Sequence, residues 1–596
     1  MSPSLGWYDY IIFAGMLVVS TIIGIYFGCF GTKQSTIRQY LMGGKNMKVV
    51  PIAVSVAVSH ISGVLLLVTV ADVYRYGASL WLFMVSYVIM GFLAVFVYLP
   101  VFFKMQVTNI YEYLEIRFDK KTRMLAFVFY VLSEILMFPL YAYTAALTFA
   151  TATGININLT ATVLCVVCVF YTSIGGLKTV IWTDFLQFGI IVACFLTVFG
   201  IGLGTSGGIT SVWSTAEVGG RLEIFNFTID PTTRDSFWAY LIGTSFLATT
   251  LIVVHQTGVQ KFLALPTFTD CIWSVVFTVF NMCLVNTLGV FIGLVTYSRY
   301  KDCDPLISKK ISKHDQLFPY FVTDIGTNIP GITGLFIATI ASASLSSISS
   351  NLNSLSGVIY KDFVCLFLKE KPEKQSSNSL KIIVFVVGLL CTCLVFAVER
   401  MGEIISITLT IVGLTQGPLL GIFTLGVLFP TANHHGAFYG MVAGFIAVSS
   451  IAVPAKYYQL KGFITNPTKP LSVSGCGLSN QTLSISKHIS SNSTLNQIPQ
   501  VSVIFKVSFY YYVLIGTIVT VIVGLIVSCI IKRNSSVDKN LLTPVVHSWE
   551  DVRLDLGMVN IWYLVIRKRF LVRIVELLSR LMELKPFSGG VDKVLH

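Results

Sequence analysis

Charge is what this sequence has least of. Acidic and basic residues fill 12% of its 596 positions, against about 25% in soluble globular domains, and that scarcity excludes a water-soluble fold for most of the chain. Acid is scarcer than base, with 28 Asp and Glu against 41 Lys and Arg and a formal charge of +13. The twelve cysteines lie mostly inside apolar runs without metal-ligand spacing, so they read as apolar packing and no cofactor is implied. No repeat of about 20–50 residues is present, which excludes a solenoid or propeller. There is no HExxH, no nucleophile elbow and no pair of carboxylates within an apolar run, so an intramembrane enzyme lacks its convergent groups. Nucleic-acid motifs are missing too, and the positive balance is assigned to inner loops and a tail beside anionic lipid.

What is present is apolar length. Hydrophobic residues make up 55% of the chain and the mean hydropathy is +0.78. A run of about 20 apolar residues crosses the hydrocarbon, and thirteen such runs are read: 8–29, 49–71, 79–103, 124–152, 158–175, 180–204, 238–256, 270–297, 330–358, 380–398, 402–428, 436–453 and 508–531. The chain is therefore expected to be an all-α, multi-pass protein of the plasma membrane. The first run is span-length and lacks a basic start, so it reads as a helix rather than a cleavable signal.

An odd count puts the two ends on opposite faces. Lys33, Arg38, Lys45 and Lys48 follow the first span, Lys104, Arg117, Lys120, Lys121 and Arg123 the third, and Lys361, Lys369, Lys371 and Lys374 the ninth. Basic residues in short loops favour the cytoplasm, so the amino terminus is expected outside and the carboxyl terminus inside. The loops 298–329 and 454–507 are also basic and fall outside, but long loops count for less. Sequons at Asn226, Asn480 and Asn492 all fall on the outer face, as glycosylation requires. Cys303 and Cys476 lie in outer loops as well, which makes them the disulfide candidates. The tail from Asn560 to Lys585 alternates apolar and basic residues at helical spacing and reads as an amphipathic helix on anionic inner-leaflet lipid, with a partner-binding helix as the other reading.

The most informative stretch is 331–362, GITGLFIATIASASLSSISSNLNSLSGVIYKD, which is apolar enough to span yet dense in hydroxyls. Ala343, Ser346 and Ser347 stand at i, i+3 and i+4 and share one helix face, and Ser349 and Ser350 continue it. Alone, such serines do not make a site, since they can bond their own i−4 carbonyls or pack closely against a neighbour, and packing is the favoured reading of the isolated segment. Two other spans are interrupted by polar residues: the second at Ser55, Ser59, His60, Ser62 and Gly63, and the seventh from Gly243 to His255. They lie five apart in order, the pattern an inverted five-helix repeat gives when broken helices meet near the midplane.

Several stretches together resemble the sodium/solute symporter family and, within it, the monocarboxylate, multivitamin and iodide transporters. They are Tyr171-Thr-Ser-Ile-Gly-Gly-Leu-Lys-Thr-Val-Ile-Trp-Thr-Asp184-Phe-Leu-Gln187, Ala71-Asp-Val-Tyr-Arg-Tyr-Gly77, Gly258-Val-Gln-Lys-Phe262, Cys303-Asp-Pro-Leu306 with Asp315-Gln-Leu-Phe-Pro-Tyr-Phe-Val322, and the run from Gly417 to Pro430. The resemblance covers about residues 5–535. It implies a LeuT-like fold and sodium-driven uptake of a small anionic solute. The corresponding division is an accessory first helix and inner loop (1–47), a first five-helix repeat (48–204), an outer loop (205–237), a second repeat (238–429), two accessory helices flanking the glycosylated loop 454–507 (430–531), and a cytoplasmic tail (532–596).

By the same resemblance, a main sodium site maps onto the carbonyls of Val58, Ile61 and Ala343 and the hydroxyls of Ser346 and Ser347. A second site, found in part of the family, maps onto Asp184, Ser346, Ser349 and Ser350. The other reading of Asp184 is a salt bridge with Lys178 or a helix-start charge. The substrate pocket is expected at Ser62, Leu65, Tyr143, His255 and Gln416. Arg75, just beyond the broken span, either draws anions or pairs with Asp72 or another loop acid. Leu65, Ala150, His60 and His255 depart from the usual subgroup residues, so the solute cannot be copied from it. A sodium-dependent channel, a non-transporting sensor and an inorganic-anion symporter are the competing readings.

Overall fold

The structure, a computed structural model, describes residues 5–27, 37–327, 329–365, 373–398, 404–476, 501–531 and 537–546. Among the described residues every long element is a helix. Eleven helices are long and apolar enough to cross a membrane, or thirteen spans with two bent pairs included. In chain order they are α1 (Trp7–Ile25), the bent pair α2 (Val49–His60) and α3 (Gly63–Tyr76), α4 (Ala78–Met105), α5 (Lys120–Thr153), α6 (Ile157–Ile174), α7 (Gly176–Thr205), the bent pair α8 (Ala239–Ile252) and α9 (Gln256–Phe262), α10 (Phe268–Tyr300), α11 (Ile332–Val364), α12 (Gln375–Phe396), α13 (Ile404–Leu428), α14 (His434–Leu460) and α15 (Phe509–Ile530).

Local chemistry sets many of the ends. The Asp119 carboxylate accepts the Thr122 N–H at the start of α5, and Gly154 closes that helix in the left-handed region. Thr267 and Asn433 cap α10 and α14 in the same way, by accepting from Asp270 and Gly436 N–H. Such caps satisfy amides that have no partner inside the helix. The buried Arg117 donates to the carbonyls of Gly426, Phe429 and Ala432, where a cation also complements the negative end of α13. Gly176, with φ of +57°, divides α6 from α7 within the Tyr171–Gln187 signature read from the sequence.

Burial ranks the helices. The spanning window of α11 is 94% buried, whereas those of α1, α12 and α15 are 22–33% buried, so the serine-rich helix is the centre of the molecule. It packs against α1, α2, α5 and the α6–α7 pair. The bent pair α2–α3 turns by 61° and α8–α9 by 63°. The sequence places the seventh span's end at 256, but α9 continues to Phe262. Polarity hid that half-helix: Gln256, Thr257, Gln260 and Lys261 are all buried, and each hydrogen-bonds inside the protein.

Cys303 and Cys476 form a disulfide that joins the loop after α10 to the loop after α14. Asn226 is partly exposed in an irregular loop, its side chain accepting from Thr228. Asn480, Asn492 and the tail from Asn560 to Lys585 lie outside the described residues.

The bend at α3 leaves no room for a side chain at its first residue. A Cβ on Gly63 would lie 2.4 Å from Ser344 Oγ, 3.1 Å from Thr144 Oγ1 and 3.2 Å from the Ile340 carbonyl. Gly63→Val is therefore expected to cost about 1–3 kcal/mol by overpacking, read as a lowered thermal unfolding midpoint of the detergent-purified protein. Gly15→Ala, in open space on α1, is expected to leave the midpoint unchanged or slightly raised. An unchanged midpoint for Gly63→Val would show that α3 and α11 are not held this closely.

Candidate ion and solute site

The break between α2 and α3 frees main-chain oxygens deep in the protein. The last ladder bond of α2 runs from Ile61 N–H to the Ala57 carbonyl, and the next, in α3, runs from Leu66 N–H to Ser62. Between them the carbonyls of Val58, Ser59, His60 and Ile61 lack the helical partner four residues on. Ile61 itself is non-helical, with ψ of 72°, and Ser62 caps α3 by accepting the Leu65 N–H.

The serine face of α11 lies against this break. Ser347 Oγ is 2.9 Å from the Ser59 carbonyl and 3.2 Å from the Ala343 carbonyl, so the hydroxyl joins the broken span to its own helix. Ser346 Oγ donates to Asp184 Oδ1 at 2.5 Å. That direction matters, because a hydroxyl whose proton is held by a carboxylate keeps its lone pairs for a cation. Ala343, Ser346 and Ser347 are fully buried. His60 is held at both ring nitrogens, facing the Val56 and Leu251 carbonyls, and so ties one broken span to the other.

Asp184, on α7 and fully buried, gathers groups from three other helices. Its Oδ2 accepts from Ser55 Oγ at 2.5 Å, from Lys261 Nζ at 3.1 Å and from Ser350 Oγ at 3.4 Å. Lys261, on α9, is 1% exposed. Its ammonium also reaches the Ser55 carbonyl at 3.1 Å, Ser350 Oγ at 2.9 Å and Ser59 Oγ. The ion pair of Asp184 is thus with Lys261 and not with Lys178, the neighbour considered from sequence. A lysine seventy-seven residues away gives no local signal. Ser349 stands one step off this cluster, donating to the Ser346 carbonyl at 3.2 Å.

A cavity of about 140 Å³ opens between the two broken spans. Its wall is largely apolar, from residues such as Val68, Phe83, Met137 and Leu251, with polar groups at Ser62, Glu134, His255 and Gln416. Leu65 lines it, as do Ser59 and His60. No lysine or arginine is among the described residues of its wall. His255 donates or accepts at Nε2 with Glu134 Oε1, 2.9 Å away, while its Nδ1 is buried without a hydrogen-bond partner in the structure. Gln416 donates to Ser133 Oγ at 3.0 Å, and its carbonyl accepts from Thr250.

Of the expected pocket residues, Tyr143 is the exception. It does not line the cavity, and its hydroxyl accepts from Lys313 Nζ at 3.1 Å in the loop before α11. Its helical neighbours Met137 and Tyr141 face the cavity instead. Asp72 pairs with Arg234, which sequence did not single out, and not with Arg75. Glu134 was missed as well. Its one available signal was a lone carboxylate in the middle of an apolar run, which is costly unless paired.

Comparison with known proteins gives a consistent picture. The profile of the "Sodium:solute symporter family" matches residues 40–444. The human sodium-coupled monocarboxylate transporter 1 is 37% identical over 529 residues, covering 87% of each chain. The rabbit sodium-dependent multivitamin transporter is 31% identical over 522 residues, covering 87% of this chain and 82% of its own. Among solved structures, a substrate-bound, outward-open Na+-coupled sialic acid symporter superposes with a TM-score of 0.73 at 22% identity, covering 89% of this chain and all of that one.

Breaking the buried pair from one side strands a charge. Asp184→Asn is expected to destabilise the protein by about 3–5 kcal/mol, whereas Asp184→Asn combined with Lys261→Met recovers most of that loss. Unfolding midpoints of the three proteins check this, and a double variant no more stable than Asp184→Asn would contradict the pairing.

Proposed function

The chain belongs to the sodium:solute symporter family, and on that premise we propose that it carries a short organic monocarboxylate together with sodium across the plasma membrane. It is a multi-pass membrane protein with a LeuT-like fold, and sodium-coupled symport of a small organic solute is its activity. The proposal concerns which residues do this and which solute they select.

Sodium sits, in this reading, between the carbonyls of Val58, Ile61 and Ala343 and the hydroxyls of Ser346 and Ser347. The observation that carries it is the run of carbonyls left without helical partners opposite Ser347. Oxygen ligands inside hydrocarbon come from such unwound backbone. A neutral cage of this kind holds the ion without the grip of a formal charge, which suits release on the other side.

The solute lies in the adjoining cavity. At about 140 Å³ it is close in size to a cavity of roughly 150 Å³ that accepts benzene, which favours a short acid over a vitamin-sized one. The carboxylate end faces the amino-terminal end of α3, whose partial positive charge attracts anions, and the unpartnered Nδ1 of His255, oriented by Glu134. Gln416 adds an amide, and Val68, Met137 and Leu251 cover the apolar end. Alternating access follows from rocking one repeat against the other, with 48–204 and 238–429 as the two repeats. In this reading the amino terminus lies outside, with Asn226 and the Cys303–Cys476 disulfide on the outer face, an orientation supported by the basic residues of the short loops.

Uptake of lactate, butyrate, biotin, pantothenate and iodide in sodium and in choline medium tests the reading. Sodium-dependent accumulation of a short monocarboxylate is expected, and accumulation of none of them would overturn it. Ser347→Ala is expected to raise the sodium concentration for half-maximal uptake by about tenfold, the loss of one ligand bond of roughly 1.4 kcal/mol, with surface expression retained. An unchanged sodium dependence would remove Ser347 from the cage.

A further inference from the structure

Lys261 reaches two of the four residues that the resemblance gives to a second sodium ion, Asp184 and Ser350. That site was expected at Asp184, Ser346, Ser349 and Ser350. Around Lys261 Nζ stand Asp184 Oδ2 at 3.1 Å, Ser350 Oγ at 2.9 Å, the Ser55 carbonyl at 3.1 Å and Ser59 Oγ. This is a cation's shell, with one carboxylate, one carbonyl and two hydroxyls, and three ammonium protons are shared among its four oxygens. All five residues are buried. Ser55 and Ser59 belong to α2, Asp184 to α7, Lys261 to α9 and Ser350 to α11, so the ammonium joins both broken spans to the central helix.

We propose that Lys261 is a tethered cation that takes the place of the second sodium ion, so that this chain couples its solute to one sodium only. A sodium ion at Asp184 would have to share the carboxylate with a fixed positive charge 3.1 Å from its Oδ2, and two cations held by one carboxylate in a poorly solvated site repel strongly. The ammonium supplies the same electrostatic service, neutralising Asp184 and binding α9 to α2 and α11, without leaving the protein. This inference rests on sodium symport of a monovalent anion as proposed above. One sodium with one monocarboxylate moves no net charge per cycle, whereas two sodium ions would move one.

The test counts ions twice, once without any solute. An ion that binds only the folded state stabilises it with sodium concentration, and near saturation the slope against the logarithm of concentration gives the number bound. Purified full-length protein in detergent is titrated with sodium at constant ionic strength, with choline as the balance, and followed by thermal unfolding. The slope is expected to correspond to one ion for the wild type and for Lys261→Arg, and to double for Lys261→Gln, in which Asp184 is open to a second sodium. In proteoliposomes, labelled sodium and labelled lactate should enter in equal numbers without current in the wild type, and in a two-to-one ratio with inward current in Lys261→Gln.

A wild-type slope of two ions, or a Lys261→Gln slope still at one, overturns the tethered-cation assignment while leaving sodium symport intact. A wild type with no sodium-dependent stabilisation and no sodium-driven lactate entry overturns the symport reading itself. If Lys261→Gln folds poorly in low sodium, restoration of its midpoint by sodium but not by choline supports the assignment, and failure of sodium to restore it counts against.

Discussion

A peptide group cannot be left bare inside a membrane protein, and the break between α2 and α3 bares several. The carbonyls from Val58 to Ile61 have no ladder partners, and an unsatisfied main-chain oxygen out of water costs several kcal/mol. The molecule surrounds that cost with specific packing. Gly63 brings α3 so close to α11 that a methyl group would overlap Ser344, Ser347 reaches across to the Ser59 carbonyl, and His60 bridges to Leu251 on the second broken span. Oxygens that are locally unfavourable for folding are, once concentrated at one point, of the kind a dehydrated cation requires, which is the basis of the proposed sodium site. The 94% burial of α11 follows from the same constraint, since the helix that faces the break has to be shielded on every side.

The ionisable groups near this point are arranged as pairs drawn from distant parts of the chain. Asp184 on α7 meets Lys261 on α9, and Glu134 on α5 meets His255 at the second break. Asp72 at the end of α3 meets Arg234 in the loop before α8. Pairs of this kind stabilise little compared with well-packed apolar residues, yet removing one partner is costly. They therefore act more as alignment marks than as glue, fixing which faces of the broken spans meet. The cavity inherits its polarity from the same principle: it contains a carboxylate, but one already engaged with an imidazole, whose second nitrogen is buried without a hydrogen-bond partner in the structure.

Much of this was legible in the sequence, for reasons that differ by residue. Apolar run length gave the spans, and the serine face at Ala343, Ser346 and Ser347 stood out because hydroxyls are conspicuous in a spanning helix. The polar interruptions near Ser62 and His255 marked the breaks to within a few residues. The resemblance to the symporter family turned those marks into the sodium cage proposed above. What sequence could not supply was partnership at long range: Lys261 lies in a matched motif, Gly258-Val-Gln-Lys-Phe262, yet nothing local says that its ammonium ends at Asp184. Tyr143 shows the opposite failure. Two residues along a helix turn a side chain through roughly 200°, so a motif match to the right helix still named a residue that faces Lys313 and not the cavity.

The most direct measurement is a cryo-electron microscopy map of the protein in sodium with a short monocarboxylate, at a resolution that separates ions from side chains. The account predicts one ion density enclosed by the carbonyls of Val58, Ile61 and Ala343 and the hydroxyls of Ser346 and Ser347, with the Lys261 side chain continuous to Asp184. An ion seated against Asp184 with Lys261 turned away, or a cage without ion density in saturating sodium, would contradict it.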